Sequence, residues 1–301
     1  MVLLSSTWVI VGTALDGAGA GAVSAGRTVF SSFGLLALVL MSRKRQTTPS
    51  ASRGVPDRPR RYTAWQLLVL AGTGVAGYTM LSTVAINLAG PMLPSLVLSL
   101  SPALVLVLEA ATTRIRLNVR TLIATCGAVG GAVLYIVPRF NGAADANLAV
   151  GVLAACGAIL SMAVYSIYFA HVHRHFEGAL APRILPIFAL GSIPLMVWAW
   201  LDVAAGQKVE PSSIAMLAFL GVAVYVPAYL LQHRLLINAG AAFTSLLGLA
   251  VPPLVGVASA ALGTAAAPGG LQIAGIGITL AGMVLVIRAS FTGSPIENEL
   301  R

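Results

Sequence analysis

"INLAGPMLPSLVLSLSP", residues 86–102, returns far downstream as "INAGAAFTSLLGLAVPP", residues 237–253. At one constant spacing of about 150 residues, Tyr78 aligns with Tyr229, Ile86 with Ile237, Asn87 with Asn238, Leu96 with Leu247 and Leu98 with Leu249. Further on, Pro102 aligns with Pro253, Thr113 with Thr264 and Gly131 with Gly282. Any two apolar helices would match at Leu. A Tyr, an Asn, a Pro and a Gly all in register point to an internal duplication.

The medium comes from composition. Of 301 residues 58% are hydrophobic and 9% charged, with mean hydropathy +0.91, far above the roughly half-apolar content of soluble domains. Apolar stretches near 3–17, 22–41, 64–83, 90–111, 118–137, 149–171, 184–203, 213–232, 240–263 and 270–289 are each near the roughly 20 residues a helix needs to cross the hydrocarbon core. They are too long and too rich in Ala, Leu and Gly for barrel strands. Backbone amides in lipid must bond internally, so the expected fold is an all-α integral membrane protein of about ten transmembrane helices. At the N-terminus no Lys or Arg precedes the apolar run as a signal peptide requires, so a first span is preferred there.

The net charge of +9 would suggest nucleic acid if it were spread over a face. It is instead concentrated at Arg43, Lys44, Arg45, Arg53, Arg58, Arg60 and Arg61, and again at Arg114, Arg116 and Arg120. Both groups lie in short loops beside apolar spans. Loops on the other side hold Arg139 and Lys208 with Asp16, Asp145, Asp202 and Glu210. The positive-inside rule therefore places both termini in the cytoplasm of a multi-pass protein of the cell membrane, its partner the lipid bilayer and not nucleic acid. The polar stretch 42–62 reads as a cytoplasmic loop with a topogenic role, anionic headgroups being its alternative ligand.

Five spans per half is an odd number, so the second half enters the membrane from the opposite side. Two inverted five-helix repeats are expected, residues 1–140 and 148–290, with a tail over 291–301. Charge supports the inversion: Arg114, Arg116 and Arg120 align with Ala265, Ala267 and Leu271. Inverted repeats give a route to alternating access around a midplane site, which makes transport of a small-molecule substrate the leading function.

With these residues in view, the chain resembles the EamA-type transporters of the drug/metabolite transporter superfamily. The resemblance rests on "AGRTVFSSFGLLALVLMSRKR" with Arg27, "LAPRILPIFAL" with Arg183, "SMAVYSIYFAHVHRH", and the stretches holding Pro102 and Pro253. It implies secondary transport of small metabolites, such as amino acids, or drugs, with export as the expected direction. Uptake, or translocation of a lipid-linked substrate, remains an alternative on the same fold. One departure stands out: where the family commonly places Glu just after its fourth and ninth helices, this chain has Thr113 and Thr264.

Site residues are few. Arg27 lies inside an apolar span, where a charge costs a few kcal/mol unless it meets a cavity or a partner; it reads either as part of the substrate path or as an interfacial Arg paired with Asp16. Tyr78 and Tyr229, with Trp8, Tyr165 and Tyr168, are the expected lining of a neutral aromatic cavity. Glu109 is the one acid well inside a span and is open to two readings, proton coupling or an ion pair with Arg114 or Arg116. Pro102 and Pro253 remove backbone donors inside long spans and are the hinge candidates. His171, His173, Gln232, His233 and Arg234 read as a solvated cluster at helix ends, an inner vestibule being the alternative. The small-residue faces Gly127-x-x-x-Gly131 and Gly277-x-x-x-Ala281 suit helix packing and are the candidate surface for a homodimer. Cys126 and Cys156 read as small packing residues. No cofactor, catalytic group or metal site is expected; without a Gly-Lys-Ser/Thr phosphate loop the chain is not expected to use ATP itself, and protons are the candidate coupling ion.

Overall fold

The computed structural model describes residues 2–45, 62–98, 100–113, 119–136, 146–174, 176, 178–246, 255, 263 and 269–291. Pro253, Thr264, Arg114 and Arg116, loop residues 46–61 and the tail from 292 lie outside them. Among the described residues the structure is helical, without strands.

In chain order the helices are α1 (Val2–Asp16), α2 (Ala20–Arg45), α3 (Ala64–Ala89), α4 (Met92–Leu98), α5 (Ser101–Thr113), α6 (Val119–Ile136), α7 (Ala146–Val172), α8 (Ala181–Ala204), α9 (Pro211–Ser245) and α10 (Gly270–Phe291). Five described segments are long and apolar enough to cross a bilayer: Ala20–Ser42, Ala64–Ala89, Asn147–Val172, Ala181–Ala204 and Pro211–Ser245. Shorter apolar helices run over Thr7–Asp16, Ser101–Thr112, Leu122–Gly131 and Gly270–Gly282. Large apolar side chains face outward, Trp65 and Leu153 at 70% exposure and Trp200 at 67%. Such a shell would drive association in water, and lipid is the solvent that suits it. Cys126 and Cys156 are exposed too, on this outer surface and not in the packed interior expected for them.

Three expected spans are reshaped. The stretch 90–111 is not one helix but α4 followed by α5, with Pro102 buried in the first turn of α5, where a missing N–H costs nothing. The stretch 213–232 and the described start of 240–263, as far as Ser245, are joined in α9, which bends at Gly240 (φ 82°, ψ 171°). Gly90, between α3 and α4, has nearly the same conformation (φ 72°, ψ 170°), a region only glycine enters without strain. Each glycine closely follows an Ile-Asn pair. Asn87 and Asn238 are exposed and belong to the last helical turn before each bend.

α3 and α9 share a second irregularity, a π-helical turn at Ala71–Gly77 and at Leu220–Tyr225. In α9 the cause is local, since Pro227 just beyond the turn has no N–H to give. A widened turn presents carbonyls to its neighbours. Thr73 O accepts from the Ser161 hydroxyl of α7 at 2.8 Å, and Gly221 O lies 3.2 Å from the Ser31 hydroxyl of α2, which also donates to Arg27 O at 2.6 Å.

Packing follows a reciprocal scheme: α1 lies on α9 and α3 on α7, while α2 pairs with α8 and α6 with α10. In lipid such contacts depend on close backbone approach, clearest between α6 and α10. A Cβ added to Gly131 would stand 2.5 Å from Thr279 N, and one added to Gly282 would stand 2.7 Å from Ala128 N. The Thr279 hydroxyl donates to Gly275 O at 2.8 Å and lies 3.3 Å from Ala128 O. The central core is filled by Leu35, Leu70, Phe169, Ile184, Ile187 and Leu236, each nearly without exposure.

Candidate substrate cavity

The helices leave a cavity of about 180 Å³ among α1, α2, α3, α5, α7, α8 and α9. Trp8, Arg27, Tyr78, Tyr165 and Tyr229 all line it, so five of the six aromatic and cationic residues expected at a substrate site meet in one place. Tyr168 is not among the lining residues; it packs beside the Phe169 core.

Arg27 is 4% exposed. Its Nη1 donates to Thr83 Oγ1 at 3.2 Å, and Thr83 in turn donates to Thr79 O at 2.8 Å, which fixes the acceptor's lone pairs toward the guanidinium. The Tyr229 hydroxyl lies within hydrogen-bonding reach of the guanidinium, and Tyr78 is close by. The charge also sits 5.3 Å from the centroid of Tyr225, a cation–π contact worth about 0.5–2 kcal/mol. Arg27 Nε is buried without a hydrogen-bond partner. The pairing with Asp16 considered from sequence is not what the fold makes: Asp16 lines a separate surface depression with Asp202 and Glu210.

Tyr225, Tyr229 and His233 occupy successive turns of one face of α9. Tyr225 and Tyr229 stack with centroids 5.0 Å apart and planes 5° from parallel, and Phe188 closes on Tyr229 at 4.7 Å. His233 is buried, not solvated as its place near a helix end suggested, and so is His173, each at 2% exposure; His171 and Arg234 are exposed. His233 Nδ1 lies 2.6 Å from Tyr229 O, and Nε2 meets the Tyr165 hydroxyl. A carbonyl only accepts, so Nδ1 carries the proton; in the neutral ring, which burial without a neighbouring acid favours, Nε2 then accepts from Tyr165. Gln232 and His233 line the cavity, as the vestibule alternative for their cluster has it, while Tyr225 and Thr83 are cavity or supporting residues the sequence reading missed. The four-residue spacing from Tyr225 to Tyr229 was the available signal for the first; for Thr83 nothing in the sequence marked it.

Glu109 is not among the lining residues. Its carboxylate receives the backbone N–H of Ala242, in the first turn after the Gly240 bend, where helix amides lack internal partners. Pro102 is buried at the start of α5, beside lining residue Ser101. Among the described residues no group of three or more His, Cys, Asp or Glu could hold a metal ion.

A family model, the EamA-like transporter family, matches residues 1–137. Over that stretch, under half of the chain, the sequence is similar to this family, part of the drug/metabolite transporter superfamily. EamA-like proteins are membrane transporters of small molecules and are generally not enzymes. The EamA-like stretch contributes Trp8, Arg27 and Tyr78 to the cavity, while Tyr165, Tyr225, Tyr229 and His233 come from the chain beyond it. A solved protein, described as "Crystal structure of protein", shares the fold with TM-score 0.66 at 20% identity, over 95% of this chain and 93% of that one. No curated protein matches the chain.

Proposed function

We propose that the chain is a secondary active transporter that exports a small metabolite or drug across the cytoplasmic membrane by alternating access. In this reading ten spans form two inverted repeats, residues 1–140 and 148–290, with both termini in the cytoplasm. The observation that carries it is exchange symmetry. Shifting the sequence by the repeat spacing turns the Gly131–Thr279 approach into the Gly282–Ala128 approach, and turns α1 on α9 into α7 on α3.

The cavity lies where such a mechanism needs it, between the halves. Tyr78 and Tyr229, equivalent in the repeat, both line it close to Arg27. The Gly90 and Gly240 bends and the matched π turns are local breaks about which bundles could rock, with Pro102 and Pro253 beside the next segments as hinges. Glu109 stands as an ion-pairing or capping acid in preference to an obligate proton carrier. A homodimer contact is assigned to the exposed faces of Gly127 and Gly277, where nothing stands within 4 Å of an added Cβ.

The test is flux in proteoliposomes holding the full chain, screened over amino acids, nucleosides, small organic acids and cationic drugs, with and without a pH gradient. Saturable, gradient-driven movement of one class is expected. Absence of flux for every class under every gradient sinks the transport reading.

A further inference from the structure

We infer that the cavity selects a carboxylate attached to a compact, uncharged, largely aromatic or apolar body, with Arg27 as the group that receives the carboxylate. The inference rests on the proposed transport site and narrows its substrate class.

Arg27 is the one cation lining the cavity among the described residues, and no Asp or Glu lines it. The neighbouring His233 is 2% exposed with no Asp or Glu among the lining residues to pair with an imidazolium, which favours the neutral ring. An occupied cavity is therefore electrically balanced when its ligand carries a single negative charge. Removing a net charge from water into such a site costs several kcal/mol unless it is paired, so a monoanion is favoured over a cation or a dianion. A cationic solute would meet Arg27 with no acid to offset the repulsion.

The donor pattern narrows the anion further. A guanidinium presents five N–H groups in a planar fork; Thr83 takes one from Nη1, while Nε has no partner although Arg27 is 96% buried by its 4% exposure. An unpaired buried donor costs about 1–3 kcal/mol, and a carboxylate seated side-on across the fork would satisfy it with a bidentate pair. Phosphate esters, which bring more charge and a third oxygen, would need a second cation that the lining does not supply. The rest of the wall is apolar and aromatic, with Trp8, Phe188 and the stacked Tyr225 and Tyr229. Its volume of about 180 Å³ is below the roughly 300–1,000 Å³ of drug-sized sites, which suits a single ring. A free amino acid fits less well, because its ammonium would face neutral acceptors only.

The experiment is equilibrium binding of labelled phenylacetate to the purified full chain in detergent, with phenylacetamide, phenethylammonium and phenylalanine as competitors. Phenylacetate is expected to bind saturably and about tenfold or more tighter than the isosteric amide, as loss of one charge-assisted pair implies, and phenethylammonium is expected not to compete. In Arg27→Gln the acid-to-amide ratio should fall to near one while the amide still binds, and Arg27→Lys should keep a preference for the acid. If Arg27→Gln fails to fold, the wild-type ratio alone decides. Equal binding of acid and amide, effective competition by phenethylammonium, or no saturable phenylacetate binding overturns the inference. Carboxylate binding without any flux in proteoliposomes would instead sink the transport reading and leave the site standing. Flux of neutral or cationic solutes without carboxylate binding would do the reverse.

Discussion

The Tyr165 hydroxyl on α7 donates to Nε2 of His233 on α9, and His233 Nδ1 returns its proton to Tyr229 O one turn earlier at 2.6 Å. Tyr165 is 2% exposed, as is His233, so this chain of bonds ties two cavity-lining helices without access to water.

Tyr165→Phe leaves Nε2 buried without a donor and should destabilise the protein by about 1–3 kcal/mol. Replacing both partners, Tyr165→Phe with His233→Leu, should cost less than the sum of the single changes. Thermal unfolding of the detergent-solubilised variants measures both. Strict additivity would mean that the two groups do not interact.

Gly131→Ala and Gly282→Ala should each destabilise by about 1–3 kcal/mol, because the added methyl meets backbone atoms of the facing helix that cannot yield. Gly127→Ala, one turn before Gly131 and open above, should be neutral or slightly stabilising by helix propensity. Equal effects at Gly127 and Gly131 would contradict the α6–α10 packing.

Histidine 173 lies just beyond α7, with Nε2 2.8 Å from the Tyr62 hydroxyl and Nδ1 2.9 Å from Phe169 O. Burial pulls its pKa below the usual imidazole value, nearby Arg183 adds to this, and the bond to Phe169 O opposes it. The folded state therefore binds fewer protons than the unfolded state just below the unfolded pKa of about 6.5. Stability contributed by neutral His173 is present above that pH and is lost as pH falls through the folded value. Melting temperature should decline as pH falls from about 7 to 5, and His173→Phe should flatten that decline. An unchanged slope in the variant would assign the pH dependence elsewhere.

Glu109→Gln keeps an oxygen able to accept the Ala242 N–H and should retain gradient-driven flux of whatever solute the chain moves. Glu109→Ala should lose about 1 kcal/mol of stability, as loss of a helix cap does. Loss of proton-driven flux in Glu109→Gln, with normal melting, would restore the proton-carrier role.

Asp202 Oδ2 accepts the Gly21 N–H at 2.7 Å, closing the first turn of α2 from the end of α8. Asp202→Ala should cost about 1 kcal/mol, read as a lower melting temperature; Asp202→Asn, which still accepts, should recover most of it.

Helical architecture and several residues that line the cavity were legible in the sequence, the first because lipid forces backbone groups to bond within each segment and so makes apolar length a readout of spans. Arg27 could be singled out because a charge in an apolar run is conspicuous, and Tyr78 and Tyr229 because the repeat marks them. The breaks were harder to place. The π turns depend on which carbonyls find a hydroxyl on a neighbouring helix, as Thr73 and Gly221 do. His233 looked like a solvated helix end because position along the chain does not reveal which helix covers it.

The sequence by itself determined the medium, the helical class, the recurrence of Tyr, Asn, Pro and Gly at one spacing, and the likeness of residues 1–137 to the EamA-like family, since each is written in composition, periodicity or order. Only the tertiary structure decided that Arg27 meets Thr83 and not Asp16, that Tyr225 and His233 join the cavity while Tyr168 does not, and that Glu109 turns to the Ala242 amide. These are outcomes of helix rotation and crossing. A rotation of one residue, about 100°, carries a side chain from cavity to lipid without altering the hydropathy of its segment.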